Sequence, residues 1–136
     1  MQVNTHLTFD GRCEEAFRFY ERSLGGKIQF MMTHEASPMA AMIPKEWGPK
    51  IMHASLQVGD QTLMGADAPP ERYQQPQGFS VALHIEAPAE AERAFGALSE
   101  GGKITMPIQE TFWAHKFGML VDRFGTPWMV NCSKPM

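Results

Sequence analysis

The chain contains its own pattern twice. The segment LTFDGRCEEAFRFYERSLGGKI, Leu7 to Ile28, lies on LHIEAPAEAERAFGALSEGGKI, Leu83 to Ile104, without a gap, at a constant offset of 76 that carries Lys27 onto Lys103. Self-similarity at this spacing requires a fold built from two like halves, each a supersecondary unit rather than a single strand or helix.

Each copy passes from a short strand (Leu7-Thr8-Phe9, Leu83-His84-Ile85) through an acidic residue into a helix. Asp10 is placed to accept from the free amides of the first helix as its N-cap, and Pro88 suits the first helical position of the second. Apolar stripes at Ala16, Phe19 and Tyr20, and at Ala91, Ala94, Phe95 and Leu98, follow the three- and four-residue steps of one helical face. The pairs Gly25-Gly26 and Gly101-Gly102 predict a left-handed stop to each helix.

Three strand-like segments follow each helix: KIQFMMTH, IMHASLQVG and QTLMGA, then KITMPI, KFGMLVD and PWMVN. Each half therefore reads βαβββ. The last strands also match, Met64 over Met129 at an offset of 65, so the first half carries 11 additional residues. These fall in the loop His34 to Lys50, read as a lid or rim. The expected division is half-modules 1–66 and 79–132 in one domain spanning 1–136, with the Pro-rich stretch 67–78 as linker.

A chain of 136 residues, 43% hydrophobic and 20% charged, can bury a core of its own. Its net charge of −3 supplies no basic face for nucleic acid. The start MQVNTHLTFDG shows neither a basic n-region nor an apolar h-region, and no apolar run approaches the length of a membrane span. The expectation is a cytoplasmic protein without membrane or nucleic-acid partners. Cys13 and Cys132 read as two reduced, partly buried thiols, and the 11 methionines as adaptable fillers of apolar gaps, several of them lining a pocket.

Strand alternation separates two sheet faces. Leu7, Phe9, Met52, Ala54, Leu56, Val58, Val81, Leu83, Ile85, Phe117, Met119 and Val121 form the apolar set expected under the helices. Asn4, His6, Thr8, His53, Ser55, Gln57, Thr62, Met64, Ser80, His84, Asp122, Met129 and Asn131 form a polar, histidine-rich set. Such a face either encloses a small ligand on the concave side of a curved sheet or is a solvated exterior.

Two βαβββ units in this order resemble the vicinal oxygen chelate superfamily, which includes glyoxalase I, extradiol dioxygenases and bleomycin-resistance proteins. The resemblance covers nearly the whole chain. The segments LTFDGRCEEAFRFYERSLGG, IMHASLQVGDQTLMGAD and QETFWAHKFGMLVDRFGTPWMVN are similar to its PhnB-like branch, often labelled 3-demethylubiquinone-9 3-methyltransferase-like. The resemblance implies an α+β fold in which two paired βαβββ modules form a curved, barrel-like mixed sheet with helices outside. It also implies four metal-ligand positions facing the concave side, which strand register gives to Asn4, Met64, Ser80 and Met129. A thioether, an amide and a hydroxyl are poor ligands for Zn, Fe or Mn, so the expectation is a site without metal or other cofactor.

The sequence is compatible with three functions. The first is a small-molecule binder resembling bleomycin-resistance members, using Asn4, His6, His53, Gln57, Met64, Ser80, His84, Trp113 and Met129, with Trp47, Phe112 and Trp113 stacking at the rim or packing at a subunit interface. The second is a lyase, isomerase or dioxygenase with a metal displaced onto His6, His53 and His84, or with acid-base work by His53 and His84. The third is a structural dimer without ligand, since members of the superfamily commonly dimerise. No glycine loop suited to S-adenosylmethionine follows a strand, and Lys116 and Arg123, the cations near the second-half site, read as solvated surface.

Overall fold

The computed structural model describes residues 1–135. Its chain divides into two compact units, Met1–Gln74 and Gln75–Met136. The α+β class and the two βαβββ modules are those expected. The first unit runs β1 (Thr5–Phe9), α1 (Cys13–Leu24), β2 (Lys27–Thr33), β3 (Ile51–Val58) and β4 (Gln61–Asp67). The second runs β5 (Val81–His84), α2 (Pro88–Ser99), β6 (Lys103–Gln109), β7 (Ala114–Val121) and β8 (Pro127–Ser133). The pairing gives one four-stranded mixed sheet per unit, β1-β4-β3-β2 and β5-β8-β7-β6. In each, the first strand pairs in parallel with the last and the others run antiparallel. Among the described residues no helix is long and apolar enough to cross a membrane.

Each sheet is covered by its own helix. In the first unit Ala16, Phe17, Phe19 and Tyr20 are buried with Leu7, Phe9, Ala54, Leu56 and Leu63. Phe9 and Phe17 meet edge to face at 6.1 Å, a favoured arrangement of the ring quadrupoles. In the second unit Ala91, Ala94, Phe95 and Leu98 are buried with Leu120, Trp128 and Val130. Helix α1 stops on left-handed Gly25 at φ 72° as expected, whereas α2 ends on extended Glu100 and Gly101, at φ 75°, turns the chain one residue later.

The helix-facing side of β7 differs from the sequence reading. Phe117, Met119 and Val121 were expected under α2, but Gly118 and Leu120 lie there. A methyl group on Gly118 would stand 2.6 Å from Phe95 Cε1 and 2.9 Å from the Ile108 backbone. Lys116 Nζ, of the same parity, reaches Glu92 of α2 at 2.7 Å. The bulkier residues thus occupy the face away from the helix, and the small one marks the helix contact.

The entrance to α1 is also held differently. Its N-cap is Arg12, which makes no side-chain cap bond, so Asp10 is not the capping residue. That work falls to Asp67, which the sequence reading placed at the start of the linker and which is instead the buried last residue of β4. Its Oδ1 accepts from the amides of Gly11 at 3.0 Å and Cys13 at 2.9 Å, and its Oδ2 from the amide of Ile51 at 2.9 Å. One carboxyl therefore ties β4 to the start of α1 and the start of β3. The repeat-equivalent position in the second unit is Cys132, whose Sγ lies 3.3 Å from the Glu86 carbonyl at the entrance to α2. There Pro88 lacks an N–H, so fewer donors need capping.

Replacing Asp67 by Ala leaves three interior amides without their acceptor, each worth about 1 kcal/mol or more. Urea unfolding is expected to show a loss of roughly 3 kcal/mol for Asp67→Ala, and a smaller loss for Asp67→Asn, which keeps one carbonyl acceptor.

Candidate functional site

With one helix on each sheet, the opposite face of each is assembled from cross-strand rungs. In the first unit one rung runs His6, Met64, Ser55, Phe30 across β1, β4, β3 and β2. His53 of β3 pairs with Met32 of β2, and its ring stands 5.8 Å from that of Phe30. The imidazole of His6 is held below its ordinary pKa, first by partial desolvation and then by the neighbouring His53. This face thus joins two imidazoles, two thioethers and an aromatic ring, all on strands.

In the second unit the corresponding rung is Ala82, Met129, Met119, Met106, running across β5, β8, β7 and β6. The next rung carries His84, Asn131, Phe117 and Gln109. Trp113 closes the edge of this face. Its ring lies 5.2 Å from Phe117 and its indole N–H donates to Asn131 Oδ1 at 3.2 Å. The Asn131 amide nitrogen reaches Ser133 Oγ at 2.7 Å and His84 Nδ1 at 3.4 Å.

Of the residues singled out from sequence, His6, His53 and Met64 come together in the first unit, and His84, Trp113 and Met129 in the second. Asn4 and Ser80 lie one residue ahead of β1 and β5, outside the paired ladder. Gln57 is exposed and its side-chain amide donates to the Gly59 carbonyl at 3.1 Å, so it serves the β3–β4 turn. Asp122, expected on the ligand face, is buried as a turn anchor. Its Oδ1 accepts from the amides of Phe124 at 2.8 Å and Thr126 at 3.0 Å, and its Oδ2 from the Trp128 indole at 2.8 Å.

Phe30, Met32, Met106, Phe117, Met119 and the bonding role of Asn131 were missed. A register shift between Ile28 and Phe30 breaks the alternation of β2, a second opposite Met32 and Thr33 breaks that of β3, and Gly118 was the available signal for β7. Both cations near the second-half site are engaged, Lys116 with Glu92 and Arg123 with Glu100 at 3.6 Å. Trp47 is half-buried with its indole nitrogen enclosed, whereas Phe112 is 90% exposed. Cys13 and Cys132 are fully buried free thiols, and burial pushes the Cys13 thiol far above its ordinary range.

The metal that the superfamily implies does not fit these residues. Met64 and Met129 stand at equivalent places where imidazole or carboxylate would be needed, and thioethers are soft donors. Among the described residues no three His, Cys, Asp or Glu side chains are grouped to hold an ion.

The family model for the glyoxalase/bleomycin resistance protein/dioxygenase superfamily matches residues 3–130, and the chain belongs to that superfamily. It is 34% identical to Protein YjdN of Escherichia coli (strain K12), with 98% of this chain and 97% of that one covered. The crystal structure of protein PA1353 from Pseudomonas aeruginosa superposes with a TM-score of 0.90 at 46% identity, over 99% of each chain. A Bacillus cereus protein described as a putative 3-demethylubiquinone-9 3-methyltransferase, PhnB protein, shares the fold at a TM-score of 0.82 and 23% identity, over 98% of this chain and 100% of that one.

Since folding disfavours the proton on His6, the unfolded chain binds more protons as pH falls below the ordinary value of 6.5. The stabilisation is complete above pH 6.5 and is lost as pH drops through the lower folded-state value. Melting temperatures recorded between pH 8 and about 5 are expected to fall on the acid side, and His6→Gln to flatten that slope.

Proposed function

We propose that the protein binds a small organic molecule with an aromatic or otherwise apolar body against the uncovered sheet faces, without the superfamily's usual metal. The observation that carries this reading is a soft thioether at the equivalent place in each unit with an imidazole close by on the paired strand, His6 beside Met64 in the first and His84 one rung from Met129 in the second. Thioethers and rings supply adaptable apolar contact, and the imidazoles supply a few directed polar groups, which is the composition of small-molecule sites. His53 and His84 are the residues available for acid-base chemistry if the bound molecule reacts. Methyl transfer, in the name of the Bacillus cereus protein, is not part of this reading, because among the described residues no glycine-rich loop joins a strand to a helix.

A homodimer belongs to the same proposal. Phe112, exposed beside Trp113 at a ring separation of 4.9 Å, is apolar surface of the kind a second copy covers.

A thermal-shift screen of aromatic and amphipathic compounds tests the reading. A binder present at 100 times its Kd stabilises the folded state by about 2.7 kcal/mol, a rise of several degrees. Met64→Ala and His53→Ala are each expected to shrink that rise. A flat response across the panel, or stoichiometric Fe, Mn, Zn or Ni in untagged protein, contradicts it.

A further inference from the structure

His84 carries a tautomer chosen by its neighbours. An indole N–H can donate but never accept, so the Asn131 atom 3.2 Å from Trp113 Nε1 is the carbonyl oxygen. The amide nitrogen must then face the other way, and its two hydrogens have two partners, Ser133 Oγ at 2.7 Å and His84 Nδ1 at 3.4 Å. A ring nitrogen that faces an amide N–H has to offer a lone pair. In neutral imidazole the hydrogen therefore sits on Nε2, the outer nitrogen of an exposed side chain.

The order Trp113, Asn131, His84 is the reverse of the arrangement behind a metal-bound imidazole. Such a ligand usually passes its second N–H to a carboxylate or carbonyl, leaving the coordinating nitrogen bare. Coordination through Nε2 here would move the hydrogen to Nδ1, where it would oppose the Asn131 amide N–H. The network disfavours His84 as a ligand and favours it as a donor. Beside it on the same face stand Phe117, under the edge of Trp113, and Met129 one rung away.

We infer that His84 is a fixed hydrogen-bond donor, its Nε2–H set by Trp113 through Asn131, and that the molecule bound on this face carries an oxygen acceptor, such as a carbonyl, on an aromatic or apolar body. This rests on the small-molecule reading above and narrows it to a class of ligand. His84 is the contacting residue; Asn131 and Trp113 are positioning residues.

Long-range nitrogen–proton correlation on uniformly labelled protein near pH 8 reads the tautomer directly, with acetophenone as the neutral, acceptor-only probe. The wild type is expected to show His84 with its proton on Nε2 and to move the His84 ring signals on addition of acetophenone. Asn131→Asp replaces the donor by an acceptor of the same shape, so the proton should pass to Nδ1 and acetophenone affinity should fall about fivefold. Trp113→Phe keeps a ring but frees Asn131 to turn over, and is expected to give a mixed tautomer, which covers the case in which Asn131→Asp does not fold. A wild-type proton on Nδ1, or an unchanged tautomer in whichever variant folds, overturns the inference. So does acetophenone shifting signals of Met64 or Met129 but not of His84, an outcome that leaves the broader binding reading standing. If acetophenone and the rest of the aromatic panel move no residue on either open face, both fail together.

Discussion

A pleated sheet has two faces, and here each four-stranded sheet has a single helix to cover one of them. Everything else in the molecule follows from which residues take the helix side. The fit there is close: a methyl on Gly65 would stand 2.6 Å from Phe17 Cε1, and one on Gly118 the same distance from Phe95 Cε1. Gly65 and Gly118 thus leave room for the rings of Phe17 and Phe95, while Leu63 and Leu120 of the same strands fill the rest of each helix face. Buried carboxyls then fix the chain at the corners, Asp67 at the entrance to α1 and Asp122 in the turn before β8. Neither is spent on a ligand.

The duplicated scaffold carries different chemistry in its two copies. Met64 and Met129 are shared, each in the middle of a rung. The first unit sets His6 near His53, and partial desolvation together with that neighbour disfavours a proton on His6. The second replaces this with an indole that donates to an amide and an imidazole 3.4 Å from the amide nitrogen. On such a scaffold the sheet and its covering helix are kept while the side chains on the opposite face differ from one copy to the other.

The repeat, the helix stripes and the faces of β1, β4 and β5 were legible because alternation along those strands is unbroken, whereas in β3 a shift at Met52 buries Ile51 in place of the expected Met52. Asp67 was not, since its partners Gly11, Cys13 and Ile51 are distant in sequence and a local rule prefers Asp10. In β7, hydrophobicity pointed to Phe117, Met119 and Val121 as core, while packing against α2 selected Gly118 and Leu120. In β2, register shifts hid Phe30 and Met32. Gln57 and Asp122 had the right parity or polarity for a ligand face, but a nearby turn offered each a partner first.

On the proposed reading the helix-free faces, with their thioethers, receive a small molecule. Titrating protein labelled at the methionine methyl carbons with an aromatic compound that raises the melting temperature tests it directly. Signals of Met64 or Met129, together with those of Met32, Met106 and Met119 on the same faces, should move while those of Met39 and Met42 stay in place. Movement confined to Met39 and Met42, in the loop between β2 and β3, would contradict the account.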